Sequence, residues 1–219
     1  MAFYRRNLPH WQPEGAEYFI TFRLAGSLPK QAVSRLKQEQ RLLINKVEDS
    51  SRSADRLSAL RERVHKTIFK KYDQLLDCNE IGPTWLLNDE VTEIVKEAIH
   101  HRDQEKYDLY AYCIMPNHVH LICKLPDSNH LKPSGKKDYP LTNILKSLKW
   151  FTALEANKVL KRTGSAFWQA ESYDHVIRDS DELQRIIYYT LQNPVNAGLV
   201  DNWKSWHHSY CKKEFRELF

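Results

Sequence analysis

A Met115-Pro116-Asn117 turn between two runs of β-forming residues constrains this chain more than any other feature. Tyr107 to Ile114 and His118 to Leu125 flank that turn, and the spacing predicts two antiparallel strands joined tightly. Side chains alternate along a strand, so His118 and His120 share one face while Val119 and Leu121 point into the core. Two imidazoles held side by side on a rigid strand offer a divalent metal two nitrogen donors. A solvated polar face would show the same pattern, so the rest of the chain has to decide between the two readings.

A length of 219 residues fits one domain over 1–219, with a helical insertion at about 30–78. Charged residues make up 28% and hydrophobic ones 42%, and no run approaches the 18 apolar residues a membrane span needs. The basic start Met1 to Arg6 has no apolar run behind it, so no secretory signal is expected. Cys78, Cys113, Cys123 and Cys211 form no CxxC, which fits reduced thiols and a cytoplasmic location. The formal net charge is +5, and the segment from Lys30 to Cys78 carries 12 Lys and Arg against 7 Asp and Glu. A basic lobe beside a near-neutral remainder suits a polyanion, although solvated helix faces look alike.

Tyr18 to Leu24 is rich in β-formers and ends at Gly26, so it reads as a first strand. Pro29 opens a helix that breaks at Asp49-Ser50-Ser51, and a second helix follows from about Ala54 to Leu76. Asn88 or Asp89 is placed to cap a helix running to His100. Beyond the central hairpin, Pro126 to Pro140 reads as a polar loop, and a helix is expected over Leu141 to Leu160. A short strand is expected at Ser172 to Ile177. Asp179 or Ser180 then caps a helix expected to end at Gln192, before Pro194 and Gly198. Strands separated by helices around an antiparallel hairpin predict an α+β fold, with helices over one sheet face and the other face left for a ligand.

A metal bound by two histidines needs further donors from elsewhere in the chain. The helix ending Tyr188-Tyr189-Thr190-Leu191-Gln192-Asn193-Pro194 offers two sets, because residues four apart stack on one face. Tyr189 pairs with Asn193, and Tyr188 with Gln192. Either pair would give a metal an amide oxygen and hold a phenol one turn away, in position to attack a phosphate. At about 100° per residue, Asn193 falls beside the apolar stripe of Leu183, Ile186, Ile187, Thr190 and Leu191, whereas Gln192 lies almost opposite it. The geometry therefore favours Tyr189 with Asn193, while packing aromatics and a helix-ending Asn remain the bland alternative. A zinc site using Cys113 and Cys123 is disfavoured, since Cys123 points away from the histidine face. Aromatic and basic residues interleave at Tyr4-Arg5-Arg6, Phe167-Trp168-Gln169 and Trp203 to His208, a weak signal for single-stranded nucleic acid.

The run Tyr112 to Leu121 resembles the His-hydrophobic-His motif of HUH single-strand endonucleases, in the form found in REP-associated tyrosine transposases. Tyr18 to Leu24, Phe167 to His175 with Arg178, and Tyr189 to Val200 agree with that family in order, so the resemblance covers nearly the whole chain. It implies a ferredoxin-like antiparallel sheet with helices on one face and the histidines on its central strands. It further implies that His118 and His120 bind Mg²⁺ or Mn²⁺ with Asn193 as third ligand, and that Tyr189 is the nucleophile. The insertion-sequence relatives place a Gln four residues after the tyrosine, which Tyr188 and Gln192 would imitate.

The activity implied is nicking and rejoining of single-stranded DNA at REP-like hairpins through a 5′-phosphotyrosine. His175 and Arg178 match family positions and are expected, with Arg5 and Arg6, to contact DNA. Insertion-sequence relatives can exchange the tyrosine helix between subunits; a monomer is expected here. Two other classes stay open: a domesticated hairpin-binding protein without turnover, and a nuclease that uses water. The basic helical segment has no role carried over from the resemblance.

Overall fold

Three strands pack the histidine hairpin into the middle of a sheet. The computed structural model describes residues 2–5, 9–12, 15–50, 54–78, 82–127 and 140–219. β3 (Glu17–Arg23), β4 (Asp108–Ile114) and β5 (His118–Lys124) join β6 (Tyr173–Ile177) and β7 (Ser209–Cys211) in an antiparallel sheet ordered β6-β3-β5-β4-β7. β5 is therefore the central strand, as the resemblance implied. The remaining strands, β1 (Ala2–Arg5) and β2 (Pro9–Gln12), form a separate two-stranded ribbon.

Strand parity divides the core. Tyr18, Ile20 and Phe22 point to one face with Val119, Leu121 and Cys123, where α3 (Asp89–His100) and α4 (Pro140–Val159) cover them through Val91, Val95, Ile99, Leu145 and Leu148. The Asn88 side chain accepts a hydrogen bond from the Val91 amide, so the predicted cap starts α3. The opposite face carries Phe19, Ala111 and Ile122, which pack with Leu183, Ile187 and Leu191 of α5 (Ser180–Asn196). The histidine face is therefore not bare: α5 and the end of α2 (Ala54–Asp77) lie over it.

α1 (Lys30–Ser50) and α2 form the predicted helical hairpin. Gln40 Nε2 meets His65 Nδ1 at 2.9 Å, and Lys71 pairs with Glu39 across the two helices. The loop after β3 closes against Gly82, where a Cβ would stand 2.7 Å from the Gly26 carbonyl oxygen and 2.8 Å from Ser27 Cα. Only glycine fits that approach.

α5 runs one turn past the end expected at Gln192. Pro194 sits in its final turn, where its fixed φ suits the helix and only one amide hydrogen bond is lost. The stop comes from Gly198, whose φ of +69° lets its amide turn back to the Val195 carbonyl at 2.9 Å. This continuation keeps Asn193 helical and buried. A further helical turn, α6 (Lys213–Arg216), follows β7.

Candidate metal centre

The histidine pair is built from three directions. β5 holds His118 and His120 on one face, and in the antiparallel register they stand beside Arg23 and Thr21 of β3 respectively. Their Nε2 atoms face one another at 3.0 Å. Neighbours on the far side fix both rings. His118 Nδ1–H donates to Asn117 Oδ1 at 2.7 Å, and His120 Nδ1 meets Thr21 Oγ1 at 2.8 Å. Each contact leaves Nε2 free to point inward, as a metal-ligating imidazole requires.

α2 closes the site from above. Asn117 Nδ2 donates to the Leu76 carbonyl at 2.9 Å, which ties the last turn of α2 to the turn that presents the histidines. This puts Asp73 Oδ1 3.5 Å from His120 Nε2 and 4.0 Å from His118 Nε2, while Asp77 Oδ1 lies 3.9 Å from His118 Nε2. From the other side α5 brings Asn193, whose Nδ2 is 3.1 Å from His120 Nε2. His118, His120, Asp73 and Asn193 are all at most 1% exposed.

The donor set fits a divalent cation. Asp73 Oδ1 and Oδ2 and Asn193 Oδ1 are buried without a hydrogen-bond partner among the described residues, which is costly unless something else is bound there. Burial pushes His120 down to about 3, and burial with the neighbouring His120 holds His118 well below the usual histidine range. Both rings are thus neutral with lone pairs available. Burial, reinforced by Asp77, raises the Asp73 carboxyl well above its ordinary range, and burial lifts Asp77 to about 7. A cation would favour the carboxylate form and offset that cost. Among the described residues Asp73, His118 and His120 are the cluster of three that could hold a metal ion. Cys113 faces the same side, but burial pushes its thiol up to about 12, so it stays protonated outside that cluster. Cys123 packs in the opposite core, as parity predicted.

The two tyrosines separate cleanly. The Tyr189 ring centroid is 6.0 Å from that of His120 and 6.3 Å from that of Phe19, inside the layer between α5 and the sheet. Tyr188 points away, 51% exposed and packed against Phe219. Gln192 follows Tyr188 by four residues in α5 and is half-buried.

No family model matches the chain. A curated protein of Haemophilus influenzae, named "Putative REP-associated tyrosine transposase", is 29% identical over 111 residues, which span 50% of this chain and 62% of that relative. A solved structure described as a REP-associated tyrosine transposase bound to a REP hairpin covers 95% of this chain and 82% of its own, at 17% identity and a TM-score of 0.51. The similarity is to REP-associated tyrosine transposases. The chain shares the fold of that solved transposase, and it spans less than two thirds of the curated transposase relative.

Among the residues expected to contact DNA in a REP-associated transposase, two are engaged within the protein. His175 Nε2 meets Glu182 Oε1 at 3.1 Å, and the Arg178 guanidinium pairs with Glu62 of α2. Lys66 of α2 also reaches Glu182, at 2.7 Å, so this cluster fastens α2 to β6 and α5. Arg5 closes β1, and Arg6 lies outside the described residues, as does most of the polar loop after β5. Sequence reasoning missed Asp73. The available signal was Asp73 and Asp77 at i and i+4, a like-charge pair that weakens a helix unless something binds it.

Proposed function

We propose that this chain nicks and rejoins single-stranded DNA beside a hairpin through a tyrosine-linked intermediate. The observation that carries the reading is the convergence of Asp73, His118, His120 and Asn193 on one buried point, with Tyr189 against His120. The similarity to REP-associated tyrosine transposases supports the substrate class, a REP-like hairpin.

In this reading His118 and His120 through Nε2, Asp73 through its carboxylate and Asn193 through Oδ1 hold Mg²⁺ or Mn²⁺. When bound, the ion supplies Lewis-acid stabilisation of charge on the scissile phosphate. Tyr189 loses its phenolic proton to solvent and its oxygen attacks phosphorus, forming a P–O bond. The bond from phosphorus to the 3′ oxygen breaks, and that oxygen leaves with a proton as a free 3′-OH. Attack by a 3′-OH on the phosphotyrosine reverses the exchange, so joining consumes no nucleotide. We read the chain as a monomer that uses its own Tyr189 without helix exchange, a reading supported by the packing of α5 on its own sheet.

The test is incubation of the purified protein with a REP-like hairpin oligonucleotide and Mn²⁺, followed by denaturing electrophoresis. A covalent protein–DNA adduct and a free 3′-OH fragment are expected. Cleavage without an adduct would replace the tyrosine by water, and binding without cleavage would make the protein a hairpin-binding module.

A further inference from the structure

Arg23 ends β3 directly opposite His118 in the antiparallel register, on the same sheet face as both histidines. It is half-buried, and one guanidinium nitrogen donates to the buried Ser27 Oγ at 3.0 Å. Tyr72 of α2 faces it electrostatically, a phenol whose hydroxyl reaches back towards the Val33 carbonyl at 3.5 Å. Burial lowers the Arg23 pKa, and no carboxylate among the described residues offsets that cost. Two exposed arginines nearby behave differently: Arg61 pairs with Glu48 and Arg178 with Glu62.

A partly desolvated guanidinium with no counter-ion is expensive, and the expense falls when an anion binds. Its planar fork has five N–H donors, of which Ser27 takes one, and the remainder match two oxygens of a phosphodiester. The register sets Arg23 beside His118 on the histidine face, so the strand flanking the metal donors carries this fork. We infer that Arg23 binds a backbone phosphate of the DNA immediately beside the metal centre, fixing the strand for attack. This rests on the proposed reading of the chain as a single-strand DNA enzyme, and it adds a positioning contact that the metal ligands and Tyr189 do not provide.

The experiment pairs Arg23→Gln and Arg23→Lys with oligonucleotides carrying a neutral methylphosphonate at one linkage at a time around the cleavage point. DNA affinity is measured in a Tyr189→Phe background, adduct formation in the parent. Melting temperature and its rise with Mn²⁺ report folding and metal binding in every variant. Arg23→Gln should weaken affinity for the all-phosphate strand about ten- to hundredfold. At one linkage near the cleavage point, the methylphosphonate should weaken the parent equally and cost Arg23→Gln nothing more. Arg23→Lys should recover part of the loss, and the Mn²⁺ shift should be unchanged. Equal losses on every strand, no loss, or a lost Mn²⁺ shift would overturn the inference. If the unmodified protein binds and shows this coupling but forms no adduct, the chemical reading fails and the Arg23 contact stands. If it binds no hairpin DNA, both fall.

Discussion

Asp73 and His120 meet across the sheet face, carboxylate oxygen to ring nitrogen at 3.5 Å, although one sits on α2 and the other on the central strand. The α1–α2 hairpin is thus part of the site. Asp73→Asn keeps the shape and removes the anionic donor. Mn²⁺ should raise the melting temperature of the unmodified protein and leave that of Asp73→Asn nearly unmoved. An unaltered Mn²⁺ shift in the variant would remove Asp73 from the ligand set.

Thr21 sets the ring of His120 through the 2.8 Å contact at Nδ1. Thr21→Val preserves volume and deletes the hydroxyl. Losing such an outer contact typically weakens metal affinity about ten- to hundredfold. Titration calorimetry with Mn²⁺ should show a loss in that range with stoichiometry preserved. An affinity equal to the parent's would mean that the strand alone orients the ring.

Asn193 should divide binding from structure. Its buried Oδ1 has no hydrogen-bond partner among the described residues, so Asn193→Ala removes a free oxygen donor together with the 3.1 Å contact of Nδ2 to His120. Adduct formation is expected to fall at least tenfold while the far-ultraviolet circular dichroism spectrum holds. Unchanged adduct yield at limiting Mn²⁺ would place the third oxygen donor elsewhere.

Glu182 gives the fold an acid-sensitive clasp. Burial raises its pKa, but Lys66, His175 and the Arg178 amide outweigh burial and hold it at about 2. A carboxyl depressed in the folded state stabilises fully above its ordinary value of 4.5, and the contribution is lost as pH falls from there through 2. Glu182→Gln should therefore be less stable than the parent in urea at pH 6. The difference should shrink at pH 3 and vanish near pH 2. A difference independent of pH would mean that packing, rather than charge, accounts for the loss.

β3, β4, β5 and β6 were legible from their β-forming runs and flanking turn signals, whereas the short strands β1, β2 and β7 were not. Asn88 and Asp179 announced their helices for the same local reason: both cap through side chains to nearby amides. The choice of Tyr189 over Tyr188 followed from the angular position of Asn193 against the apolar stripe, and the observed burial follows that angle. Asp73 was not legible. In an amphipathic, highly charged helix an aspartate reads as solvated surface, and its burial depends on where α2 docks. That docking rests on Asn117 reaching Leu76 and Lys66 reaching Glu182, pairings distant in sequence. Arg23 was hidden similarly, since its place beside His118 comes from strand register.

Which tyrosine carries the DNA decides the chemistry of the site most directly. Tyr189→Phe and Tyr188→Phe should be compared for covalent adduct on the same hairpin oligonucleotide with Mn²⁺. Tyr189→Phe should abolish the adduct while still binding the hairpin, and Tyr188→Phe should form it at close to the parent rate. An adduct that survives Tyr189→Phe, or disappears in Tyr188→Phe, would contradict the account.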